Sequence, residues 1–411
     1  MILTYTQAAD LVLEQARHLA AATKRRTEHL PLHEALGRVL AASVHADRDF
    51  PPFHRSTRDG YAVQSAAISS GDWLPVVGTL RAGESAPSTP LQPGTALEIM
   101  TGAPVPAGAD AIVMLEHVEN AEDRIRLAPT RSVRPGSHIV PAGSEAHAGD
   151  TILPAGTRLQ ANHIAALAAV GAAQVEVFAR PRVAILATGD ELVEVASTPR
   201  PHQIRNSNSA SLAAQVALAG AEPVRLGIAR DHLNDLRALL HNGRQSADLM
   251  LLSGGVSAGK YDLVEQALAE RGAVFHFTGV RIQPGKPTVF GELPATGSSA
   301  SPLPFFGLPG NPVSTMVTFL LFAAPMLRAL AGETLLGPRF AQAALAEPEP
   351  ATDLTRFLPA HLDAGWDHAT VTRIPWQGSG DLAATARSNC FVVLPPDTAL
   401  EAGANVQVLL P

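Results

Sequence analysis

The sequence predicts an α/β, multidomain protein built around a doubly wound, mostly parallel sheet, with a β-rich inserted unit before it and a small β-barrel at the C-terminal end. Three observations predict this. Between residues 180 and 332, short apolar runs alternate with helical patterns closed by glycine. Residues 49–139 are rich in Gly and Pro and carry short β-prone pieces. Residues 333–411 hold three further strand candidates.

In chain order, a helix is expected over Thr6–Ala22, capped by Thr6, with Ala9, Leu13 and Ala16 on its buried face. Together with 140–179 it forms a discontinuous first unit (1–48 plus 140–179), whose second piece has a helix at Asn162–Val170 closed by Gly171. The insert, 49–139, includes the β-prone Val76-Val77 and Ile112-Val113-Met114. In the third unit, 180–332, strands are expected at Arg182–Leu186, Val224–Ile228 and Leu249–Leu252. Helices follow at Ser209–Ala219, after Asp231 with Leu233, Leu236 and Leu240 on one side, and at Asp262–Glu270. Continuous apolar strands alternating with helices mean a parallel sheet covered on both faces. Pro294–Pro304 reads as an excursion between two strands, and Met316–Leu327 as a buried helix. The barrel, 333–411, draws on Val371–Ile374, Phe391–Leu394 and Val406–Leu410.

Composition excludes several classes. The chain of 411 residues has 46% hydrophobic residues and a formal charge of −7, with no basic stripe of the kind a nucleic-acid footprint needs. Its one cysteine, Cys390, cannot form an internal disulfide or a Cys-rich zinc site and reads as a small half-buried hydrophobe. The N-terminal residues lack a basic region followed by an apolar run, and the longest apolar stretch falls short of the ~20 residues of a membrane span. A cytoplasmic enzyme acting on small molecules is expected.

The strongest local signal is Leu251-Leu252-Ser253-Gly254-Gly255-Val256-Ser257, an apolar strand running into glycines ahead of Asp262. Glycines let backbone N–H groups turn inward and approach a ligand closely; a helix start adds positive potential. The run fits either a phosphate loop or an ordinary strand-to-helix turn. Three acids follow strands of the same sheet: Glu191 in Thr188-Gly189-Asp190-Glu191, Asp231 and Asp262. Asp231 and Asp262 also suit helix N-caps. Two like charges ~5 Å apart repel by ~3 kcal/mol at an effective dielectric near 20. A carboxylate cluster facing a phosphate therefore calls for a cation, and Mg²⁺ takes one or two carboxylates plus phosphate oxygens. Pro284-Gly285-Lys286-Pro287 fits either a stiffened loop supplying fixed positive charge or a Pro-Gly turn with a solvated Lys, and Pro309-Gly310-Asn311-Pro312 opens a helix, with Asn311 at the cap and Pro312 in the first turn. Asp59-Gly60 and Thr101-Gly102 in the insert are turn-like and unspecific alone.

Taken together and in this order, Asp59-Gly60-Tyr61-Ala62, Thr101-Gly102-Ala103, Thr188-Gly189-Asp190-Glu191, Ser253-Gly254-Gly255-Val256-Ser257, Pro284-Gly285-Lys286-Pro287 and Leu308-Pro309-Gly310-Asn311-Pro312 resemble the molybdopterin molybdenumtransferases of the bacterial MoeA and gephyrin E-domain type, over essentially the whole chain. The resemblance implies an elongated homodimer of four-domain subunits, with 180–332 as the molybdopterin-binding unit. It implies adenylyl-molybdopterin and molybdate as substrates, Mg²⁺ as cofactor, and AMP as the leaving product. It places Asp59 and Thr101 in the site of the other subunit. Glu191, Asp231 and Asp262 become the acidic, metal-binding set, and Lys286 joins them in catalysis. Thr188, Gly189, Asn208, Ser253, Gly254, Gly255 and Ser257 match the pterin and phosphate side. Pro284, Gly285, Pro309, Gly310, Asn311, Pro312 and Ser314 match the anion-holding side. The molybdopterin adenylyltransferase and recipient molybdoenzymes are the implied protein partners.

The chain departs from the family pattern at Arg58, where many relatives have Met; at Gln283, where many have Lys; at Val140 and Glu145, where an Arg and an Asp are usual; and at Pro359, often Arg. Arg281, Arg58 and Arg356 are the candidates to restore the lost charge. Two other readings share the motifs: an adenylyltransferase making the adenylylated pterin, and a non-catalytic cofactor-binding scaffold.

Overall fold

The computed structural model describes residues 1–23, 25–69, 71–255, 263–295 and 301–411. At its centre lies a six-stranded sheet in the order Glu222–Ala229, Arg182–Thr188, Leu249–Ser253, Leu303–Leu308, Val289–Leu293, Val274–Phe277. The first four strands run parallel, and the last two are antiparallel additions at one edge.

Strand alternation sends successive side chains to opposite faces, and both faces are covered. Val183, Ile185, Leu249 and Leu251 join one core with helix Ser207–Leu218, the N-terminal helix and the long helix from Pro312. Ala184, Leu186, Met250 and Leu252 join the other with helices Leu233–Ser246 and Leu263–Ala269. Leu251 and Leu252 are wholly buried, the two-sided burial that their unbroken apolar run predicts, and so are Phe305 and Phe306 of the next strand.

The N-terminal helix spans Tyr5–Ala22, and its cap is Thr4, not Thr6: Thr4 and Gln7 form a reciprocal capping box. Its buried face is Ala8, Val12, Ala16 and Leu19, one residue round from the expected stripe, because it packs beside Ala324–Leu330 on the core of the central sheet. The expected helix at Met316–Leu327 is longer. It runs Pro312–Leu330, with a π-helical turn at Phe319–Ala323. At 19 residues it is long and apolar enough to cross a membrane, so the length argument fails; 78% of its most apolar window is buried in protein, and burial decides.

Residues 60–127 form a second six-stranded sheet, in the order Ala111–Met114, Gly60–Val63, Ala96–Ile99, Leu74–Leu80, Arg124–Leu127, Val118–Ala121. Three two-stranded ribbons, Thr27–Pro31 with Gln174–Phe178, Val44–His45 with Thr151–Leu153 and Arg55–Ser56 with Ile139–Val140, carry the chain out to this sheet and back. Helix Ala161–Ala169 lies beside them and is followed by Gly171 at φ +75°.

At the C-terminal end, strands Thr355–Ala364, Ala369–Arg373, Phe340–Leu345, Asn405–Leu409 and Cys390–Leu394 pair in sequence, and the last returns to the first, closing a five-stranded barrel. Cys390 is fully rather than half buried at 1% exposure; burial pushes its thiol up to about 11, leaving it an inert core group. Glu349 is buried between Arg356 and Arg373. Arg356, itself 7% exposed and also donating to the Pro350 carbonyl, is spent inside the barrel and does not supply charge to a ligand.

Candidate active site

From strand Arg182–Thr188 the chain turns to one side, through helix Ser207–Leu218 to strand Glu222–Ala229. From the adjacent strand Leu249–Ser253 it turns to the other. Neighbouring strands whose connections diverge leave a crevice beyond their carboxyl ends, where open α/β sheets bind ligands. Here that crevice is a cavity of about 990 Å³, walled by Thr188, Ser253, Gly254, Gly255, Pro309 and Gly310 among others.

Thr188 ends its strand 4% exposed, and its Oγ1 has no hydrogen-bond partner among the described residues. Stranding a buried hydroxyl costs about 1–3 kcal/mol. The turn after Ser253 lies against it. Gly254 and Gly255 have φ of +88° and +64°, and a Cβ on either would come 2.7 Å from Thr188, at its carbonyl oxygen and Oγ1 respectively. Only glycine lets the two backbones approach so closely.

Asn208 ties the walls together: its Nδ2 donates to Ser253 Oγ at 2.8 Å and to the Gly310 carbonyl at 2.7 Å. Two helices begin at the cavity. Ser207–Leu218 is capped by Asn206, which accepts from the Ser209 N–H at 3.1 Å. The helix from Pro312 has Asn311 at its cap position, but the Asn311 side chain makes no capping bond and instead donates to Ser379 Oγ at 2.7 Å. That bond brings in the barrel, whose Gly380 and Leu382 also line the cavity. Helix starts favour anions.

Of the three acids, Glu191 and Asp231 line the cavity, both exposed. Asp231 is not a cap, because the following helix takes His232 in that position. Asp262 and Ser257 lie outside the described residues. Gly189, Asn208, Asn311 and Pro312 also line the wall.

Other expected residues are placed elsewhere. Pro284 and Gly285 are buried, Gly285 against Thr318, and they shape the loop without reaching the cavity; from that loop only Pro287 does. Lys286 is exposed and absent from the wall. Ser314 is buried in the long helix at 3% exposure, also away from the cavity. Asp59 and Thr101 do not line it either, yet they meet: the Thr101 N–H and Oγ1 donate to Asp59 Oδ1 at 2.7 and 2.9 Å.

Those bonds, the backbone one first, hold the Asp59 carboxyl below the usual carboxylate range. A depressed carboxyl contributes stability above its unfolded value, and the contribution is lost as pH falls through the folded one. Thr101→Val removes the hydroxyl donor and keeps the backbone donor. NMR titration of the Asp59 side chain is expected to show its midpoint rising part of the way to the ordinary range; an unmoved midpoint would remove the hydroxyl from the account.

Sequence reading missed the ribbon of Leu192–Val193 with Ile204–Arg205, which puts Leu192, Ile204 and Arg205 on the wall, and it missed the barrel's contribution. The only sequence signal was the polar Ser207-Asn208 start of a helix beside the first strand.

Known proteins agree with this architecture. Residues 3–171 match a family model described as the MoeA N-terminal region (domain I and II), and 342–410 match the MoeA C-terminal region (domain IV). Residues 184–329, which build the cavity from Thr188 to Pro312, match a probable molybdopterin binding domain. A molybdopterin molybdenumtransferase of Bacillus subtilis is 33% identical over 401 residues, 93% of this chain and 90% of that one. Another, from a Nostoc species, is 40% identical over 316 residues, 75% and 71% of the two chains. A solved molybdopterin biosynthesis moeA protein from Pyrococcus horikoshii superposes with a TM-score of 0.79 at 28% identity, covering 100% of both chains. With relatives of one name matching most of its length and a matching fold from end to end, the chain belongs to the molybdopterin molybdenumtransferases, a family of transferases in molybdenum cofactor biosynthesis.

Proposed function

We propose that this protein inserts molybdenum from molybdate into adenylyl-molybdopterin and releases AMP. The observation that carries the reading is the cavity beyond the ends of strands Arg182–Thr188 and Leu249–Ser253, with the Gly254-Gly255 turn, Glu191 and Asp231 on one wall. Two helix starts beside the glycine turn suit phosphate oxygens. Two carboxylates facing a phosphate repel it unless a cation intervenes.

The donor set fits Mg²⁺, which prefers oxygen ligands from one or two carboxylates and substrate phosphate. Glu191 and Asp231 would hold it, with Asp262 the third candidate; among the described residues no cluster of three such ligands is preformed. Bound there, it would supply charge neutralisation at the phosphate. The chain's own residues shape the ligand's place: Asn208 fixes Ser253 and Gly310, and the Gly254 N–H donates to the Leu308 carbonyl at 3.2 Å, which pins the glycine turn to the next strand.

The reading includes a homodimer. Asp59 and Thr101, bound to each other and absent from this chain's own cavity wall, would serve the second subunit's site. It also includes the division 1–48 plus 140–179, 49–139, 180–332 and 333–411, a cytoplasmic location, supply of substrate by the adenylyltransferase and delivery to molybdoenzymes. Purified protein given adenylyl-molybdopterin, molybdate and Mg²⁺ is expected to release AMP in step with formation of cofactor able to activate an apo-molybdoenzyme. Tight binding of the adenylylated pterin with no AMP released would overturn the reading.

A further inference from the structure

The described wall of the cavity carries two negative side chains, Glu191 and Asp231, and a single positive one, Arg205. Lys286 is not on that wall, and neither is Gln283, three residues before it and uncharged. Arg205 closes the short strand Ile204–Arg205, whose parallel partner sets Val193 beside it, and it immediately precedes the capping residue Asn206.

Its guanidinium is held by one edge only. Nε donates to the Val195 carbonyl at 3.0 Å and to the Ser197 carbonyl at 3.2 Å. These bonds fix the side chain against residues 194–203 and leave both terminal nitrogens without a partner among the described residues. A planar fork so anchored binds tetrahedral oxyanions through paired N–H···O bonds, and it loses little freedom in doing so. The helix start next to it favours the same charge.

We propose that Arg205 is a specificity residue of this site and grips a tetrahedral oxyanion, either the phosphate of the adenylyl group or molybdate. The assignment rests on the function proposed above and adds to it the side-chain cation that Lys286 does not provide at the wall.

The test is equilibrium binding of AMP, adenosine and molybdate to the wild-type, R205Q and R205K proteins, with AMP release assayed alongside. R205Q is expected to weaken binding of the gripped anion about 10- to 100-fold, the range for one lost charged hydrogen-bonding group. R205K should fall between, because an ammonium keeps the charge and loses the paired geometry. Adenosine affinity and the thermal midpoint should stay at wild-type values, which separates loss of the grip from loss of the fold. A loss confined to AMP assigns the grip to phosphate, and one confined to molybdate assigns it to the metal oxyanion. Wild-type affinity of R205Q for both, in a protein that releases AMP, overturns the Arg205 assignment alone. Arg205-dependent binding in a wild-type protein that never releases AMP overturns the functional reading alone.

Discussion

Gly254→Ala is expected to abolish more than about 99% of AMP release and to lower stability by about 2–4 kcal/mol. Two costs combine. At φ +88° an L side chain is strained, and its Cβ would lie 2.7 Å from the Thr188 carbonyl and 3.1 Å from Thr188 Oγ1. Strain of this kind costs of order 1–3 kcal/mol. The collision adds to it, because Thr188 and Ser253 end adjacent, hydrogen-bonded strands and neither can retreat without disturbing the sheet. The activity loss follows from geometry and not from unfolding alone: a misplacement of about 1 Å at a positioned group can cost 10²-fold in rate. Gly310→Ala is the control for stability. Its Cβ would meet only the Gly254 Cα, at 3.7 Å, so its thermal midpoint should stay near wild type. A Gly254→Ala protein with wild-type midpoint and rate would show that the strand ends do not need their close approach.

What the sequence made legible was the sheet. Runs such as Val183–Leu186 and Leu249–Leu252 are too continuously apolar for a half-exposed strand, and with their spacing they locate the crevice beyond Thr188 and Ser253. Glu191, Asp231, Gly254 and Pro309 follow, because each lies just past a strand end. The cap at Thr4 was missed because Thr6 offers the same hydroxyl two residues on, although only Thr4 has the Gln three residues later that completes a capping box. Strand Thr355–Ala364 was missed because Pro359 interrupts its pattern. Arg205 and Leu382 were illegible for a different reason. Neither adjoins a central-sheet strand; a two-residue ribbon and a bond from Asn311 to Ser379 bring them in, and such tertiary contacts leave no local period. Conversely Pro284-Gly285 looked like an anion loop, and Gly285 is needed because a Cβ there would strike Thr318.

Asp231→Asn and Glu191→Gln are each expected to lower the rate of AMP release about 100-fold and to raise the Mg²⁺ concentration for half-maximal rate. Both side chains are exposed on the cavity wall and leave separate strand ends, Glu222–Ala229 and Arg182–Thr188. Surface substitutions of this kind change stability by only about 0.5 kcal/mol, so a fall in rate cannot be a folding effect. Removing one oriented charge from a site of developing charge costs on the order of 10²–10³ in rate. The double variant should lose less than the product of the single losses, because two carboxylates serving one cation fail as a unit. The sign of the substrate-affinity change separates this account from simple structural support. Without bound cation the carboxylates repel the phosphate, so in Mg²⁺-free buffer Asp231→Asn should bind AMP more tightly than wild type. With Mg²⁺ the order should reverse. Equal affinities under both conditions, with an unchanged Mg²⁺ requirement, would remove these two carboxylates from the cation's coordination and leave the phosphate to the helix starts and Arg205.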